Sequence, residues 1–98
     1  MTENISIQQA KQVLRIEAES IFSLIDRVGE PFSRAVELIY KSKGRVIVAG
    51  IGKSGLIGRK IVATMTSTGT QALFLHPVEG LNGELGIVTK DDVLLAIS

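Results

Sequence analysis

The sequence predicts an α/β fold with a parallel sheet, on three observations. Residues 46–49, Val-Ile-Val-Ala, form an unbroken apolar run, as in a strand covered on both faces. Gly50, Gly52 and Gly55 follow at once and open a segment of helical period. Two more short apolar runs, 72–75 and 93–97, come after that segment, and strand–helix–strand makes a right-handed parallel unit.

The first helix is predicted over residues 6–28. Ile7, Ala10, Leu14, Ala18, Ile21, Ile25 and Val28 recur at spacings of three and four and form one apolar stripe. Val13, Ile16, Phe22 and Leu24 lie off that stripe, which suggests a second contact, with another subunit as one candidate and its own domain as the other. Gly29 is the expected stop, and Pro31 suits the first turn of a second helix running to residue 43. Phe32, Ala35, Val36 and Ile39 mark its inner face, and Gly44 ends it.

The central strand is expected over 45–49 and the third helix over 54–67, with Ser54 as N-cap. Ile57, Ile61 and Met65 mark one face of that helix, with Arg59 and Lys60 pointing elsewhere. Residues 68–70, Thr-Gly-Thr, break it before the second strand at 72–75. His76-Pro77 ends that strand, because proline cannot extend a ladder. Residues 78–88 read as a loop with one helical turn, 89–92 as a polar turn, and 93–97 as the third strand.

The expected whole is a flavodoxin-like doubly wound sheet preceded by two helices and cut off after its third strand. Its parts are an N-terminal helical segment, 1–44, and the first half of an α/β domain, 45–98. In that strand order the third strand lies beside the first, opposite the second. Ligands then bind between the C-terminal ends of the first and third strands, where the glycine turn and Ser98 meet. The third strand is left as an open apolar edge, so the 98 residues alone are expected to self-associate and to be inactive.

Composition narrows the function. A net charge of +1, with Lys and Arg scattered, argues against a nucleic-acid-binding stripe. The absence of cysteine excludes disulfides and thiol chemistry. No apolar run is long enough to span a bilayer, and Met-Thr-Glu-Asn lacks the basic start of a signal peptide, so a cytoplasmic location is expected.

The glycine turn, residues 50–55, matches G-x-G-x-x-G. A dinucleotide site also needs an acidic residue at the end of the second strand, where this chain has His76. A P-loop is unfavourable too, since its first glycine would fall at Ile47 inside the strand. Lys53 is more informative. A cation at a helix N-terminus opposes the dipole by roughly 0.3–1 kcal/mol, a penalty that an anionic ligand removes. The alternative is a solvated lysine.

Residues 48–60 (Val-Ala-Gly-Ile-Gly-Lys-Ser-Gly-Leu-Ile-Gly-Arg-Lys), 67–70 (Ser-Thr-Gly-Thr) and 75–86 (Leu-His-Pro-Val-Glu-Gly-Leu-Asn-Gly-Glu-Leu-Gly) together resemble the sugar isomerase (SIS) domain family, nearest its arabinose-5-phosphate isomerases. The resemblance implies interconversion of arabinose 5-phosphate and ribulose 5-phosphate, feeding synthesis of the lipopolysaccharide sugar Kdo and of some capsules. It implies a homotetramer with sites at subunit boundaries. By position, Lys53 would be catalytic, and Gly52, Ser54, Gly69, Thr70, His76, Asn82 and Ser98 would bind substrate. Ser98 would open the family's serine-rich phosphate loop, and further catalytic groups and paired CBS domains would lie beyond it. His76 matches a residue that holds zinc in relatives, where no metal is required. Relatives commonly have histidine at the position of Asn82, and often at that of Leu56. Asparagine can hydrogen-bond a hydroxyl but cannot shuttle a proton near neutral pH.

Aldose–ketose isomerisation needs a base, and a cation or proton donor for the developing oxyanion. Lys53 fits the cation; Glu79 and Glu84 are candidate bases, each also readable as a solvated carboxylate. Besides the isomerase, a non-catalytic phosphosugar-sensing module remains open, and a nucleotide-binding half-domain is a third reading.

Overall fold

The computed structural model describes residues 2–78 and 83–98. The chain divides into two compact units, Met1–Ala35 and Val36–Ser98.

The first unit is built on helix α1, Thr2–Ser23, which starts earlier than its apolar stripe and runs on into a 3₁₀ turn, Leu24–Arg27. The tightening shows in Val28, whose N–H is shared between the carbonyls of Leu24 and Ile25, both at 3.2 Å. Val28 itself is extended, so the helix ends one residue before Gly29, which keeps a negative φ and is not a left-handed cap. The large apolar side chains of α1, from Ile5 to Phe22, are exposed along its length.

Helix α2, Glu30–Lys41, begins in the first unit and ends in the second. It stops two residues short of the predicted boundary. Ser42 explains this: its hydroxyl accepts the Gly44 N–H at 3.1 Å and donates to the Asp91 carbonyl at 3.0 Å, so the chain turns at once into the sheet.

The second unit holds a three-stranded parallel sheet in the order β2-β1-β3, with β1 at Val46–Gly50, β2 at Ala72–Leu75 and β3 at Val93–Ile97. Val46 pairs with both Ala72 and Val93, so all three strands begin level. The order and direction are those of the first three strands of a flavodoxin-like sheet. Val46, Ile47, Val48 and Leu75 are the buried apolar core, as an unbroken apolar run in a central parallel strand requires.

Helix α3, Lys53–Ser67, crosses from β1 to β2 and buries Gly55 and Gly58. A Cβ at Gly58 would lie 3.1 Å from both the Phe74 ring and Val48 Cγ1, so glycine lets helix and sheet meet closely. Of the row Ile57, Ile61 and Met65, Ile57 is 56% exposed while Ile61 and Met65 are half-buried, and the buried residues of the helix are its two glycines. Arg59 lies over the Phe74 ring, 4.3 Å from its centroid.

At the start of the sheet, Arg45 and Asp92 tie β1 to β3. The Asp92 carboxylate accepts from the Arg45 backbone N–H at 2.7 Å, from Arg45 Nη2 at 3.0 Å and from the Thr89 N–H at 2.8 Å. The Arg45 hydrogen bond, with the two backbone donors, holds the Asp92 carboxyl well below the usual carboxylate range.

Among the described residues β3 is an edge strand, and its Leu94 is 62% exposed. An open apolar edge templates pairing with another chain. The 98 residues are therefore expected to sediment above monomer mass at high concentration; a stable monomer throughout a concentration series would count against this.

Candidate functional site

The site follows from how β1 hands over to α3. Gly52 is the N-cap of α3, with φ 63° and ψ −127°, a conformation that side-chain-bearing residues rarely adopt. This corrects the expectation that Ser54 caps the helix. No side chain caps it, and the helix already begins at Lys53, because a serine N-cap needs an extended backbone that this turn does not offer. The first helical bond runs from the Leu56 N–H to the Gly52 carbonyl at 3.1 Å. The amides of Lys53, Ser54 and Gly55 thus precede the helical ladder, at the positive end of the helix dipole.

Of these residues Ser54 borders the switch point between β1 and β3. A hollow of about 370 Å³ opens there, bounded by Gly50 and Ile51 of the turn, Ser54 of α3, Pro77 after β2, and Ile97 and Ser98 at the end of β3. The glycine turn and Ser98 therefore meet, as the strand order predicted. Ile51, Pro77 and Ile97 were not singled out from the sequence. Their position at or within two residues of a strand's C-terminal end was the signal that would have found them.

Lys53 stands beside Ser54 with its side chain exposed, and no ion pair among the described residues involves it. His76 directly follows β2 and is half-buried; its Nδ1 accepts the Val78 N–H at 3.2 Å. Asn82 and Glu79 lie outside the described residues, as does the side chain of Glu84.

Gly69 and Thr70 are elsewhere. They precede β2, whereas His76 follows it, so about 20 Å of extended chain separates Thr70 from His76. The two line a different hollow, of about 520 Å³, at the N-terminal end of the sheet with Tyr40, Ser42 and Met65. There the Thr70 N–H bonds the Met65 carbonyl at 2.9 Å and Gly69 takes φ 98°. Within one chain the structure brings Gly52, Lys53, Ser54 and Ser98 to one end of the sheet and Gly69 and Thr70 to the other.

A zinc ion takes four ligands, and among the described residues no three His, Cys, Asp or Glu side chains come together to hold a metal. His76 is the one histidine of the chain and offers a single donor. The β1–α3 turn offers three leading amides on which an anion can sit, and Ser54 and Ser98 both border the hollow beside it. The largely apolar wall would shed water from the groups it holds.

The SIS domain family matches residues 38–98. Arabinose 5-phosphate isomerase KdsD of Pseudomonas aeruginosa is 46% identical over 99 residues, covering 100% of this chain and 30% of its own. KdsD of Yersinia pestis is 53% identical over 95 residues, covering 96% and 29%. A solved E. coli CFT073 protein in complex with arabinose 5-phosphate superposes with a TM-score of 0.89 at 37% identity, covering 100% of this chain and 52% of the other. A candidate phosphosugar isomerase involved in capsule formation from Bacteroides fragilis gives 0.86 at 38% identity, covering 94% and 49%. The chain thus spans under a third of these curated relatives and about half of these solved structures.

Proposed function

The chain belongs to the SIS domain family, and we propose that its β1–α3 turn serves an aldose–ketose isomerase acting on a phosphosugar, with arabinose 5-phosphate and ribulose 5-phosphate as the pair. The observation that carries this reading is the position of the turn. It opens α3 at the switch point, where Ser54 and Ser98 border one hollow, in a sheet that matches a relative solved with arabinose 5-phosphate over the whole of this chain.

In the reaction a base takes the proton from C2 of the aldose, leaving an enediolate. A proton returns to C1, and the hydroxyl proton on O2 passes to O1, so the carbonyl moves from C1 to C2 without gain or loss of atoms. Lys53 steadies the negative charge on the enediolate oxygen while the amides of residues 53–55 hold the phosphate. The base is not assigned among the described residues. The 98 residues by themselves are therefore expected to turn over no sugar, and activity belongs to an SIS-domain protein that carries them. Its product would feed Kdo or capsule synthesis, and a cytoplasmic setting suits these intermediates. No helix among the described residues is long and apolar enough to cross a membrane.

The separation of Gly69 and Thr70 from Lys53 supports a homo-oligomer, a tetramer by family resemblance, in which one subunit's Gly69–Thr70 loop meets another's glycine turn. Lys53→Ala and Thr70→Ala proteins should each be nearly inactive. Mixed one to one after unfolding and refolding, they should regain about a quarter of wild-type activity, because half the dimeric sites' pairings are mixed and each mixed pair restores one site of two. No recovery would remove the shared site. A non-catalytic sensor is favoured only by Asn82, which cannot shuttle a proton; arabinose 5-phosphate binding without exchange of its C2 hydrogen in D₂O would select that reading.

A further inference from the structure

We infer that Gly50 is a positioning residue: its missing side chain sets how closely the first turn of α3 meets the end of β1, and so where a phosphosugar rests on the amides of Lys53, Ser54 and Gly55. The inference builds on the phosphosugar reading of the turn. Gly50 is buried and keeps a negative φ, so backbone freedom does not explain it. Proximity does. A Cβ there would lie 2.8 Å from both the carbonyl carbon and the oxygen of Ser54 and 3.0 Å from the Gly55 nitrogen. The fit is reciprocal, since a Cβ on Gly55 would come within 2.9 Å of the Gly50 oxygen. These neighbours are backbone atoms of the helix start, which cannot swing aside as a side-chain tip can. Reaching an ordinary contact of about 3.5 Å requires α3 to back away from the strand end. The atoms that move are those of the anion-facing turn.

Gly58 supplies the contrast. It is buried on the α3 helix, but the nearest neighbours of its Cβ would be the Phe74 and Val48 side chains, one turn away from Ser54. Gly58→Ala should therefore cost stability without moving the turn.

The test compares Gly50→Ala with Gly58→Ala. Amide NMR shifts of residues 53–56 are recorded without ligand, and kcat and KM are measured with arabinose 5-phosphate in the SIS-domain protein. Gly50→Ala should displace the amide signals of residues 53–56 and lower kcat/KM by about 10- to 100-fold, mostly in kcat, as a sub-ångström misplacement of bound substrate does. Gly58→Ala should lower Tm yet keep kcat/KM within about threefold of wild type at equal folded fraction. Unmoved amides in a folded Gly50→Ala protein would overturn the inference, as would parallel activity losses in both variants. If Gly50→Ala does not fold, Gly55→Ala presses the same two backbones apart, through the Gly50 carbonyl oxygen and carbon, and is read the same way. Should the wild type neither bind nor convert arabinose 5-phosphate, the isomerase reading fails, and the amide shifts alone still decide what Gly50 does.

Discussion

Lys53→Ala should lower kcat/KM for arabinose 5-phosphate by roughly 10²–10³-fold while leaving the fold intact, the cost of losing one electrostatic contact to a developing oxyanion. Lys53 is exposed and is the first residue of α3, so its side chain adds no packing to the core. It also opposes the helix dipole, by roughly 0.3–1 kcal/mol at an exposed site, so alanine should slightly raise the unfolding temperature. Activity down and stability level or up is a pattern that general damage does not produce. The split between constants then says what the ammonium touches. A loss in kcat places it on the enediolate oxygen, and a loss confined to KM places it on the ground-state phosphate. Wild-type turnover together with wild-type affinity would make Lys53 a solvated residue and sink this account of the site.

Asp92→Asn should be the most damaging conservative change in the sheet unit, lowering Tm by roughly 5–15 °C for a domain of this size. The Asp92 side chain is only 2% exposed and gathers four donors, three of them from Arg45, and Arg45 Nη2 also donates to the Ile87 carbonyl at 2.6 Å. Asparagine keeps one acceptor but turns an amide toward the Arg45 guanidinium, leaving a donor facing a donor. The Lys41–Glu37 pair is the comparison: its side chains are 71% and 58% exposed, and Glu37→Gln should shift Tm by no more than about 3 °C. The pH dependence follows from the direction of the Asp92 shift. Its carboxyl is lowered from an ordinary value of 3.8, so the folded state gains from the ionised form. That contribution is complete above the ordinary value and is lost as pH falls below it. Wild-type Tm should hold between pH 5 and 7 and drop below about pH 4, and Asp92→Asn should lack that part of the drop. Equal acid sensitivity in both proteins would mean the pair contributes nothing.

Much of the fold was legible because its signals are local. The strands at 72–75 and 93–97 are apolar runs closed by Pro77 and opened by a polar turn, and they form where those runs predict. The β1 run fills the buried core, since a strand apolar at every position is stable only with both faces covered. The family resemblance rested on the same stretches, and the SIS match over residues 38–98 covers them. The helix ends were read less well. A shared Val28 N–H and the Ser42 hydroxyl each reset a boundary by one or two residues, and neither leaves a trace in hydrophobic period.

The site divides along the same line. Residues 50–55 and Ser98 were placed together correctly, because parallel strands put all their C-terminal ends on one side and the strand order brings the first and third together. Gly69 and Thr70 carried no such mark: a motif records which residues occur, whereas the end of the sheet they occupy depends on which side of β2 they lie. On α3 the apolar row of Ile57, Ile61 and Met65 gives the stronger pattern, yet the buried residues are Gly55 and Gly58, which allow the closer approach. Arg45 and Asp92 are 47 residues apart and meet only once β1 and β3 pair in register. Local chemistry thus specified the strands, the turn and its cation. Contacts between distant segments, which no window of sequence contains, settled the helix face, the ion pair and the end of the sheet on which each site residue stands.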